Sequence, residues 1–238
     1  MTTNEKISLL DSYFDFPNLS AEQFVFLRRF TFDRSSAVRC SVPDHLLNFK
    51  NDESKSLLFR LSEDRDPLVR TKAYDTLGSL AFYDAESRLR VAATDESDNL
   101  ARSYAVEAWS NVVISHNCVS QDKISFAENR LAEESDERCR LCLCYALYRF
   151  GVEAYQEKVL SFLNSGDYHI RCSALNLLDE VLNDQNKATI KNAVENLLKT
   201  ETHITVRHYA EKLMNKVTDG KRFPLKENSA PLFQRINY

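Results

Sequence analysis

Apolar and polar positions in the stretch DRDPLVRTKAYDTLGSL, residues 64–80, alternate with a helical beat. Val69, Ala73 and Leu77 stand at −1, +3 and +7 from Arg70, offsets that place them on one stripe of a helix. Asp66 stands four residues before the arginine and Pro67 follows it. An aspartate there caps a helix by accepting backbone N–H bonds, and proline at the first helical position loses nothing by lacking its own. The same grammar recurs in DRSSAVRCSVPDHLL from Asp33, DESDNLARSYAVEAW from Asp95, EESDERCRLCLCYAL from Glu133, SGDYHIRCSALNLL from Ser165 and ETHITVRHYAEKLM from Glu201. The aligned arginines are Arg39, Arg70, Arg102, Arg140, Arg171 and Arg207, separated by 31, 32, 38, 31 and 36 residues. Self-similarity at that period predicts a solenoid.

Small or apolar residues occupy −1 throughout (Val38, Val69, Ala101, Cys139, Ile170, Val206), and Ala73, Ala105, Ala174 and Ala210 sit at +3. The +7 position carries Leu46, Leu77, Trp109, Leu147, Leu178 and Met214. Upstream of each such helix lies a second amphipathic segment: AEQFVFLRRF, ESKSLLFRLS, ESRLRVAA, DKISFAENRLA, EAYQEKVLSFL and ATIKNAVENLL. The unit is helix, turn, helix, six times. The predicted organisation is an N-terminal capping helix in residues 1–19, a single domain of six repeats over 20–217, and an extended tail over 218–238 that docks through Phe223, Leu232 and Phe233.

In DRDPLVRTKAYDTL the D–x–x–V–R–x–x–A–x–x–x–L pattern resembles HEAT repeats, in particular the short bacterial kind also seen in bilin-lyase-like families. Ser35 and His203 replace the aspartate in the first and last copies. The resemblance implies an all-α, right-handed alpha-alpha solenoid of about six helical hairpins. It also implies that the six arginines form a structural ladder, each pairing with an aspartate at the turn of its own or a neighbouring repeat. A catalytic arginine is rarely needed six times, so Arg70 reads as architecture.

Composition narrows the function classes. The chain has 238 residues with 4 Gly and 5 Pro, which disfavours turn-rich β folds and glycine-rich phosphate loops. Thirty-one basic against 35 acidic residues give a formal net charge of −4, a poor grip for nucleic acid. The N-terminal stretch has no apolar core of a secretory signal, and no apolar run approaches the roughly 20 residues of a membrane helix. With six cysteines and no such signal, the expectation is a cytoplasmic protein with reduced thiols.

Candidate chemistry is sparse. Cys139-x-x-Cys142 has metal-ligand spacing, and His169 and Cys172 would complete a set, but no second C-x-x-C exists and Cys139 holds a core position. Neither an H-E-x-x-H pair, a P-loop nor a dinucleotide fingerprint is present. No cofactor and no enzyme is expected. Some HEAT-like proteins are alkylpurine DNA glycosylases, a reading that the acidic balance and the core placement of Trp109 disfavour.

In HEAT-like arrays the second helices line a concave surface. Opposite the core stripe, +5 carries Asp44, Asp75, Glu107, Tyr145, Asn176 and Lys212, while +8 carries Leu47, Gly78, Ser110, Tyr148, Asp179 and Asn215. This predicts an acidic strip followed by exposed tyrosines, with Asp44, Asp75, Glu107, Tyr145, Tyr148 and Asp179 as partner-binding residues. Carboxylates beside aromatic anchors suit a basic protein partner. The sharpest expectation is an immunity protein neutralising a basic, nuclease-type bacterial toxin; the broader one is an assembly scaffold.

Overall fold

The computed structural model describes residues 1–12 and 20–218; the predicted tail lies outside the described residues. Among those residues there are thirteen α-helices and no strand. After α1 (Thr3–Asp11) they run as six pairs: α2 (Ala21–Phe30) with α3 (Ser36–Leu46), α4 (Asp52–Leu61) with α5 (Pro67–Leu80), and α6 (Glu86–Asp95) with α7 (Asn99–Ser115). The remaining pairs are α8 (Gln121–Glu133) with α9 (Glu137–Arg149), α10 (Tyr155–Ser161) with α11 (Tyr168–Glu180), and α12 (Lys187–Thr200) with α13 (Ile204–Thr218). Each second helix contains one of the aligned arginines.

Local chemistry fixes where these helices begin. Asp66, Asp98, Asp136 and Asp167 are the N-caps of α5, α7, α9 and α11, accepting from the amides of Leu68, Ala101, Cys139 and His169. Such a cap is worth about 1 kcal/mol against alanine. Ser35 caps α3 without a side-chain bond.

The helices form two compact units, one of α1–α7 up to Cys118 and one of α8–α13 from Val119. In the first, α3, α5 and α7 stack successively, with α1 against α3 and with α4 and α6 covering α5 and α7. In the second, α9, α11 and α13 stack in the same manner beneath α8, α10 and α12. The core is the predicted stripe: Val38, Val69, Ala101, Cys139, Ile170 and Val206 are buried, as are the four alanines at +3. Leu46, Leu77, Trp109, Leu147 and Leu178 are buried too, whereas Met214 is half-buried and Leu213 takes the interior.

Gly78 lies at a close approach between second helices. A Cβ there would lie 2.6 Å from Ala108 Cα. Gly78 therefore belongs to the α5–α7 contact, not to an open surface, and its lack of a side chain is what permits that spacing.

Candidate functional site

The six arginines share one contact. Each donates from Nη1 to the backbone carbonyl of the residue six positions earlier, which is Asp33, Asp64, Glu96, Glu134, Ser165 or Glu201. At every one of these turns the same residue's side chain accepts from the amide two residues on. Where the residue is acidic, its carboxylate can also receive the guanidinium of the preceding repeat. Arg39 grips Asp64 through Nε and Nη2 at 2.7 and 2.8 Å, Arg70 grips Glu96 at 2.6 and 2.6 Å, and Arg171 grips Glu201 at 2.7 and 3.1 Å. These two-pronged pairs have the geometry that separates Arg from Lys.

Two glutamates thus stand where aspartates were expected, and the partner belongs to the next repeat in all three pairs. The sequence does carry the signal: an acid at −6 from the arginine in five copies, with Ser165 the exception. Serine offers no carboxylate, and Arg140, one repeat upstream, is exposed and donates, among the described residues, to the carbonyls of Leu131 and Glu134. Arg102 donates to the Glu96 carbonyl and Asn99 Oδ1, and Arg207 to the carbonyls of Leu198 and Glu201.

The pairing sets the carboxylate titrations. Burial would raise Asp64 and Glu96, but the hydrogen bonds from Arg39 and Arg70 and from the amides of Asp66 and Asp98 outweigh it, so both sit below the ordinary range. For Glu201 the Arg171 hydrogen bond is the leading cause and the direction is again downward.

The predicted partner-binding rows turn out to run between second helices. Asp44 is half-buried on α3 and accepts from Lys72 Nζ of α5 at 3.0 Å. Asp75 and Glu107 are buried, 8% and 7% exposed. Tyr145, expected as an exposed anchor, is 1% exposed, with its hydroxyl donating to Glu180 Oε2 at 2.8 Å across α9 and α11. The half-buried Tyr148 accepts from Asn186 Nδ2 at 3.0 Å, and Asp179 of α11 is bound by Lys216 of α13. The physical reason is geometric. Within each unit a second helix packs on the first helix of its pair and on the adjacent second helix or helices, so the face opposite the core stripe is largely a helix–helix seam.

Cys139 and Cys142 are buried within α9, and no group of three or more His, Cys, Asp or Glu is placed to hold a metal among the described residues. Burial pushes the thiols of Cys40, Cys144 and Cys172 up to about 11, which keeps them protonated and unreactive at neutral pH. Trp109 is fully buried, its indole N–H reaching Glu86 Oε1 at 3.4 Å. No described helix is long and apolar enough to cross a membrane.

No protein-family model and no curated protein matches the chain by sequence. Solved structures do match by fold. The complex of CpcE and CpcF of phycocyanin lyase from Nostoc sp. PCC7120 matches with a TM-score of 0.63 and 15% identity, covering 90% of each chain. YibA from E. coli matches with a TM-score of 0.54 and 15% identity, over 90% of this chain and 76% of that one. Human deoxyhypusine hydroxylase follows at 0.38 and 12%, over 91% and 97%. The chain has the HEAT-like helical-repeat fold of the first two structures. The expectation that it is no enzyme is corrected by the same finding: a fold shared with a phycocyanin lyase does not exclude catalysis, because chemistry resides in side chains grafted on the scaffold.

Proposed function

We propose that this chain is a helical-repeat module that binds another protein along the polar rows of its second helices. One observation carries the reading: three half-buried polar side chains of those rows are already held by a neighbouring element, Asp44 by Lys72, Tyr148 by Asn186 and Asp179 by Lys216. A partner meeting pre-ordered groups loses little additional side-chain entropy, which favours a protein interface. At the level of fold analogy, a structural neighbour solved as a complex of CpcE with CpcF lends support.

Within this reading, neutralisation of a basic nuclease-type toxin draws on free carboxylates. Asp44 and Asp179 face lysines while Asp75 and Glu107 are buried, so the rows favour assembly with a partner of mixed charge. The test is capture on the immobilised full chain, wild type beside an Asp44→Lys/Asp179→Lys variant, with circular dichroism confirming the fold of both. A partner retained by the wild type and lost by the variant is the expected result. Equal retention removes the rows as the binding surface, and no retained protein removes the protein-binding reading.

A further inference from the structure

Among the described residues of the first unit, a second surface carries the opposite charge. Val25, Arg28, Arg29 and Phe32 stand at i, i+3, i+4 and i+7 along α2 and the turn after it, and all four are exposed. Phe32 is 61% exposed and Val25 53%, with Phe26 beside them at 38%. Exposed Arg60, at the end of α4, lays its guanidinium 3.4 Å from the Phe32 ring centroid. Arg34 and Arg65, in the turns following α2 and α4, are exposed as well.

None of these five arginines has a carboxylate within ion-pair distance among the described residues. Nearby acids are engaged elsewhere: Asp64 by the ladder arginine Arg39, Asp33 by Lys6, Glu63 by Arg88, and Asp66 as the N-cap of α5. What is left is a basic, aromatic-bearing stripe, with the exposed Glu22 one turn before Val25, on a chain whose formal net charge is −4.

We infer that this stripe is a docking surface for an acidic amphipathic segment of another protein. Charge complementarity selects carboxylates, and a guanidinium resting over an aromatic ring keeps N–H donors for them. Interleaved Val25, Phe26 and Phe32 require apolar groups on the partner too, since large exposed apolar residues beside arginine are the composition of an interface centre. A nucleic-acid backbone would answer the arginines and leave the apolar positions unmatched. The stripe is short, about 10 Å along the helix axis at 1.5 Å per residue, which fits a transient contact.

This inference rests on the protein-binding reading but places a contact on a different surface. The test is fluorescence anisotropy on the full chain with a labelled short peptide of glutamates interleaved with leucine and phenylalanine, its lysine counterpart, and a labelled oligothymidine. The acidic peptide should bind, less tightly at high salt. Arg28→Glu/Arg29→Glu should weaken it about tenfold or more, Phe32→Ala should weaken it as well, and Asp44→Lys/Asp179→Lys should leave it unchanged. Equal binding to the arginine reversal, or tighter binding of the oligothymidine, overturns the proposal. A chain that captures its partner through the second-helix rows yet ignores the acidic peptide overturns the stripe alone. One that captures no protein and ignores the peptide overturns both readings.

Discussion

Arg60 and Arg70 lie ten residues apart, on the two helices of one repeat, and their environments differ in every respect that matters for an arginine. Arg70 is drawn into a turn, where a carbonyl and both oxygens of Glu96 satisfy it and the carboxylate is itself buried. Arg60 lies on the surface over Phe32 and meets no carboxylate among the described residues. The first holds neighbouring repeats together; the second is left for something outside the fold. Residue type predicts neither role, because place within the repeat decides which acids are within reach.

The comparison can be broken most severely at the buried end. Arg70→Ala leaves Glu96 desolvated without its cation and should cost about 3 kcal/mol, read as a lower urea midpoint; an unchanged midpoint would show the ladder to be ornamental. Next comes Gly78→Ala, whose new methyl must displace Ala108 and should cost about 2 kcal/mol. Ser165→Glu tests the missing rung in the opposite sense. It supplies the carboxylate that Arg140 lacks and should raise stability by about 1 kcal/mol, while a destabilised variant would mean the turn does not accept glutamate.

Acid offers a subtler probe. The folded-state pKa values of Asp64, Glu96 and Glu201 are depressed, so their contribution is complete above the ordinary carboxylate range near about 4 and is lost as pH falls through the lowered folded values. The melting midpoint should drop over that acid window, and less steeply in Arg70→Ala, which has already given up one pair. The smallest effect belongs to the exposed end. Arg60→Ala should change stability by no more than about 1 kcal/mol, the scale of an exposed cation–aromatic contact.

Much of the fold was legible before any coordinates. Six copies of one pattern locate six second helices, and the aspartates at −4 mark four of their N-caps. The ladder was legible only in part. Attention to the N-cap aspartates hid the acid two residues earlier, although the residue at −6 is acidic in five copies. Tyr145 was misread for another reason. A helical wheel has one buried side when a helix packs on one neighbour, but α9 packs on α8, α10 and α11, and its second side closes as well.

What the sequence determined by itself is whatever depends on a few successive residues: helical period, caps, core stripe and the spacing of the arginines. These are set within one or two turns of chain, where hydrogen-bond reach and side-chain direction leave few choices. The tertiary structure decided which charges remain available. Whether a carboxylate is spent on the preceding repeat's arginine, as Asp64 is, or an arginine such as Arg60 is left with an open edge depends on groups 25 or more residues away in the chain, brought within 3 Å or left apart by the stacking of helices.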